Sequence, residues 1–117
     1  METKPNLVNL EYVDEIAEGD NDFKKELIGI FVTQIPEFLF NISKYLTEEN
    51  QQELAKEAHT AKSSVLIFQM ENAGELLKKI QILAEEKKFH SIPELMEGVK
   101  IDMEKARIEL SEFLDDL

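Results

Sequence analysis

The chain has 117 residues, carries a formal net charge of −12 and contains no cysteine. Its length suits a single domain, residues 1–117, able to bury a core. Missing thiols exclude disulfides, thiol catalysis and zinc–thiolate sites, and the negative surface disfavours nucleic acid or an anionic membrane as partner.

Hydrophobic residues make up 43% and charged residues 32%, with tryptophan absent and glycine and proline scarce. That profile suits helices better than sheet. The N-terminal METKPNLVNL lacks the basic-then-apolar pattern of a secretion signal. No apolar run approaches the roughly 20 residues of a membrane span. A cytoplasmic monomer is expected, and the termini suit a free-standing protein.

Punctuation predicts five helical stretches. The first covers about 9–18, with Asn9 as N-cap and Gly19 as the stop. The second starts near Asp20 to Asp22 and runs to Leu46, with Phe23, Leu27, Ile30, Phe31, Phe38, Ile42 and Tyr45 at helical spacing. Pro36 lies inside it and is expected to kink or split it. The third begins at Asn50, where "NQQE" is an Asn variant of the capping box, and ends near Phe68.

The fourth helix covers about 71–87, with Ala73, Leu76, Leu77, Ile80, Leu83 and Ala84 inward. The fifth opens at "SIPE", with a Ser91 cap, Pro93 in the first turn and Glu94 at the box position. It runs to about Asp115 on Leu95, Val99, Met103, Ala106, Leu110 and Phe113. Short connections between long amphipathic helices imply antiparallel neighbours. The expected fold is all-α, an antiparallel up-down four-helix bundle, with the short N-terminal helix covering one end.

The third helix holds His59. Its core seam is Leu54, Ala58, Ala61, Val65 and Phe68, and at 3.6 residues per turn His59 lies about 140° from the centre of that seam. The ring therefore faces away from the core. Taken alone, such a histidine is most often a plain surface residue. Its neighbours one turn away, however, are Lys56, Lys62 and Ser63, with no carboxylate among them in a chain of 25 acids and 13 bases. The flanking Ala55 and Ser63 are small and leave room for a partner. An imidazole nitrogen can attack a phosphoryl group and hold it covalently, and a nearby ammonium can neutralise part of its charge. The chain has no glycine-rich phosphate loop, so any metal or nucleotide must come from a partner.

The stretch AHTAKSS, Ala58 to Ser64, resembles the signature of histidine-containing phosphotransfer domains, roughly A-H-x-L-K-G-S. Ala58, His59, Lys62 and Ser64 match; Ala61 stands at the leucine position and Ser63 at the glycine position. "GDNDFKKELIGIFVTQIPEFLFNISKYL" is similar to the family's long second helix, and "MENAGELLKKIQ" to the helix after the active one. A glycine that many members carry would fall near Gln69, so a different turn is expected there.

The resemblance implies a phosphocarrier that is not itself an enzyme. His59 would accept a phosphoryl group from a receiver-domain aspartyl phosphate and pass it to another receiver's aspartate. Lys62 would be the charge partner and Ser63 a small neighbour of the ring. Receiver domains and a hybrid sensor kinase are the implied partners. Magnesium would sit on the receiver, with no metal or other cofactor bound by this chain. A docking surface is expected from Ala55, Lys56 and Leu66 on the third helix and Ile35 and Leu39 on the second, Leu66 foremost. The competing reading is a helical adaptor that binds receivers or other proteins without carrying phosphate. His90, in "KKFHSIPE", reads as a loop residue. A di-metal carboxylate bundle needs Glu-x-x-His pairs, and neither histidine has an acid three residues before it.

Overall fold

The computed structural model describes residues 7–116; residues 1–6, where a leader would begin, and residue 117 lie outside it. Five α-helices and one 3₁₀ turn follow one another: α1 Glu11–Ala17, α2 Asn21–Thr47, α3 Gln51–Ile67, α4 Glu71–Glu85, the 3₁₀ turn Phe89–Ser91, and α5 Ile92–Asp116. The expected antiparallel four-helix bundle with a short N-terminal helix is what forms. α2 packs on α3, α3 on α4, α4 on α5, and α5 closes the ring against α2. No helix among the described residues is long and apolar enough to cross a membrane.

One continuous core joins all five helices. Ile28, Phe31, Ile35, Phe38 and Ile42 line the buried face of α2, and Ile92, Met96, Val99, Met103, Ala106 and Leu110 that of α5. The expected α2 seam mixed two phases. Phe31, Phe38 and Ile42 do face inward, but Phe23 and Ile30 are exposed, while Ile28 and Ile35 are fully buried. The 3,4,3,4 spacing from Ile28 to Ile42 is the stripe a long helix presents to a bundle. Phe31 stacks on Phe68 at 4.3 Å between centroids, which ties α2 to the end of α3.

The N-terminal segment does close one end. Asn9 N–H donates to the Phe68 carbonyl at 3.0 Å, Leu7 N–H donates to Glu109 Oε2 at 2.9 Å, and Val8, Val13 and Ala17 are buried. Asn9 is not the N-cap of α1; Leu10 holds that position. The Asn9 side chain still accepts from Glu11 N–H at 2.9 Å, an Asx turn that leads into the helix.

α2 is not split at Pro36. The proline is exposed, so its ring lies outside the core and its missing N–H falls on the outer side of the helix. Asp20 caps α2, accepting from Phe23 N–H at 3.0 Å. Asp20→Ala is expected to lower stability by about 1 kcal/mol, read as a lower urea midpoint at unchanged slope; no change in midpoint would contradict the capping role. Ser91 does not cap α5 as expected, because it belongs to the 3₁₀ turn that runs directly into the helix.

Three helix ends share one geometry. At the end of α3, Met70 N–H reaches the Val65 carbonyl and Gln69 N–H the Leu66 carbonyl, and Gln69 has φ +57°. The same pair of bonds closes α2 around Glu49 (φ +52°) and α4 around Lys87 (φ +59°). These are Schellman turns, whose left-handed residue is usually glycine. The turn at Gln69 is thus a glycine-type turn made without glycine, not the different turn expected from the sequence.

Candidate functional site

The rotation of α3 sets the site. Leu54, Ala58, Ala61, Val65 and Phe68 are all buried, and the phase they impose turns His59 out to solvent. Asn50 starts the helix by accepting from Glu53 N–H at 3.3 Å. The second half of the capping box is not made; the Asn50 N–H is already held by the Tyr45 carbonyl at 2.9 Å.

α4 supplies what α3 lacks. The two helices approach closely at Gly74, where an added Cβ would meet Leu66 Cδ2 at 2.8 Å. One heptad along, the same register sets His59 against Gln81. His59 Nδ1 lies 3.3 Å from Gln81 Oε1. The other end of that amide is also occupied, since Gln81 Nε2 donates to Glu85 Oε2 at 3.3 Å. With the amide so oriented its oxygen only accepts, an arrangement that suits a ring with its proton on Nδ1 and its lone pair on Nε2.

Nothing local in the sequence gives Gln81 a role, although it closes the stretch MENAGELLKKIQ. Its signal lies in the turn. Only Phe68, Gln69 and Met70 separate α3 from α4, so residues about equally far from that turn must lie side by side.

The charges around the ring divide by helix. Lys56 is exposed and Lys62 half-buried, and neither joins the ion pairs of the described residues, which are Lys24–Asp14, Lys88–Glu86 and Arg107–Glu104. Glu57 points to α2, where it accepts from Asn41 Nδ2 at 3.2 Å. Glu85 is linked to the ring through the Gln81 amide. Ser63 Oγ donates to the His59 carbonyl at 3.2 Å, a bond back to the previous turn. Its hydroxyl is therefore held at the backbone.

The expected docking residues do not all reach the surface. Ile35 is 0% exposed and belongs to the core; it sits on the 3,4 stripe of α2 and has no surface to offer. Leu39 and Ala55 are half-buried against the core. Lys56 is exposed, and Leu66 is 45% exposed with one side resting on Gly74. His90 lies exposed in the 3₁₀ turn, in line with the reading of it as a loop residue.

The described residues form an all-helical four-helix bundle with His59 on its outer wall, in contact with Gln81 through Nδ1. The Hpt domain model matches residues 26–117, and the chain belongs to that family. It is 32% identical over 78 residues to the phosphorelay intermediate protein YPD1 of Candida albicans; the match covers 64% of this chain but only 42% of that protein's length. Among solved structures, the fold is similar to histidine-containing phosphotransfer protein B of Pseudomonas aeruginosa PAO1, with a TM-score of 0.86 at 18% identity over 98% of this chain and 99% of the other. It is also similar to the HPT domain of an Hpt sensor hybrid histidine kinase from Shewanella, with a TM-score of 0.78 at 12% identity over 95% and 96% of the two chains.

Proposed function

We propose that this chain is a phosphocarrier of a two-component phosphorelay, with His59 as the residue that holds the phosphoryl group. The observation that carries this reading is the ring itself, exposed on α3 and hydrogen-bonded at Nδ1 by Gln81. Membership of the Hpt domain family supports it.

The chemistry needs little else from this chain. The Nε2 lone pair attacks phosphorus in line with the bond to an aspartyl carboxylate of a receiver domain, and that carboxylate departs with the bonding electrons. Positioning and charge neutralisation carry such a transfer. Lys62 supplies a cation one turn from the ring. Ser63, its hydroxyl turned to the His59 carbonyl, leaves the approach to the ring open. Receiver domains, and the kinase that charges them, are the partners this reading requires. Leu66 and Lys56 are the surface residues placed to meet them, with magnesium held by the receiver. A protein that carries the group without turning over a substrate of its own is an intermediate and not an enzyme.

The test is to follow a labelled phosphoryl group from a receiver domain to this chain and on to a second receiver, with magnesium present. Movement in both steps is the expected result. Binding to several receivers without movement of label would contradict the carrier reading and leave an adaptor. Lys62→Ala is expected to slow transfer roughly tenfold, the size of one charge-assisted contact of about 1.5 kcal/mol, while circular dichroism stays unchanged. Unaltered single-turnover kinetics would refute the role of Lys62.

A further inference from the structure

We propose that Glu85 is a positioning residue for His59. It acts through the Gln81 amide, which it holds with the oxygen toward the imidazole, and so leaves Nε2 as the free nucleophile. The inference rests on the phosphocarrier reading and adds a residue to its site.

The geometry is a short chain of groups across α3 and α4. Glu85 Oε2 accepts from Gln81 Nε2 at 3.3 Å, and Gln81 Oε1 faces His59 Nδ1 at 3.3 Å. A primary amide has one accepting end and one donating end. Turned by half a rotation, this amide would aim its NH₂ at Nδ1 and its oxygen at the Glu85 carboxylate. Two oxygens would then face each other with no proton between them, and Nδ1 would have to accept. The ring proton would move to Nε2, the atom that must attack. A carboxylate cannot donate when ionised, so Glu85 favours one amide orientation and, through it, one imidazole tautomer.

Glu85 is itself placed by the helix ends. Gln51, in the first turn of α3, donates through Nε2 to the Glu85 backbone carbonyl at 2.8 Å, which pins the last turn of α4 beside α3. Glu85 and Gln81 are four residues apart on α4, the spacing at which helix side chains meet.

The orientation also fits the charge that develops. When Nε2 bonds to phosphorus and the phosphorus–carboxylate bond breaks, the Nδ1 proton stays where it is and the ring becomes cationic. A hydrogen bond from a cationic donor is stronger than one from a neutral donor, so the contact to Gln81 Oε1 tightens as the product forms.

The experiment reads the tautomer directly. Uniformly ¹⁵N-histidine-labelled protein is examined by NMR at pH about 8.5, roughly two units above the ordinary imidazole value, with His90→Gln to leave one ring signal. The expected result is a majority of Nδ1–H in the unphosphorylated protein. Glu85→Gln and Gln81→Leu should each lower the ratio of Nδ1–H to Nε2–H by roughly three- to tenfold, and the double variant should fall no further than Gln81→Leu alone. Glu85→Gln should slow transfer by a similar factor at unchanged helicity. A ratio that does not respond to Glu85→Gln would overturn the proposal. The NMR readout does not depend on phosphoryl transfer. A ratio that responds as expected in a protein that accepts no phosphoryl group would instead overturn the carrier reading, with the Glu85–Gln81–His59 geometry intact.

Discussion

His59→Gln abolishes phosphoryl acceptance and leaves the bundle as stable as before; that is the largest functional effect expected of any single substitution here. The stability half follows from exposure. His59 lies on the outer wall of α3, its contact to Gln81 is a solvent-facing bond of 3.3 Å, and surface changes away from core or cap usually move stability by about 0.5 kcal/mol or less. The functional half follows from chemistry. A glutamine amide has no free nitrogen lone pair at the position of Nε2, because its nitrogen is conjugated with the carbonyl. Intact mass after incubation with a phosphorylated receiver, beside a urea melt, checks both halves. A variant that still gains an acid-labile phosphoryl group would show that another residue carries it.

A second large effect concerns stability alone. Replacing Glu49, Gln69 and Lys87 together by glycine should raise the unfolding free energy by roughly 2 kcal/mol. Each of the three has φ between +52° and +59° at the left-handed position of a Schellman turn. A side chain there crowds the following carbonyl at a cost of about 1 kcal/mol or more, partly offset by the greater freedom glycine has in the unfolded chain. Gln69 lies at the opposite end of the bundle from Glu49 and Lys87, so its contribution should add to theirs. A higher urea midpoint with the same slope is the expected outcome. A midpoint that falls would mean that these side chains make contacts worth more than the backbone strain.

Much of the fold is legible in the sequence because its signals are local. Asp20 and Asn50 are capping residues placed where helices begin, and the α3 seam from Leu54 to Phe68 repeats at 4,3,4,3 without a break. The α2 seam was harder to read, because Phe23 and Ile30 are as apolar as Ile28 and Ile35 and only packing chooses between them. For that reason Ile35, expected at the surface, belongs to the core. The Schellman turn at Gln69 was hidden because its usual marker, glycine, is absent, although the backbone adopts the glycine conformation regardless.

The site divides in the same way. His59, Lys62 and Ser63 stand within one helical turn, and their shared face follows from periodicity. Gln81 and Glu85 lie on another helix, and nothing local marks them. Their place beside the imidazole depends on the close approach of α3 and α4 at Gly74 and on the length of the turn between them. The direction of the Ser63 hydroxyl likewise depends on a bond to the His59 carbonyl that spacing alone does not specify.

The central claim is that His59 carries a phosphoryl group on Nε2. The most direct measurement is intact mass and peptide mapping of the protein after exposure to a phosphorylated receiver domain and magnesium, with ¹⁵N NMR of the modified ring. One acid-labile phosphoryl group on the peptide holding His59, bonded at Nε2 with the proton still on Nδ1, is the result the structure predicts. Phosphate on any other residue, or none after exposure to several receivers that bind, would contradict it.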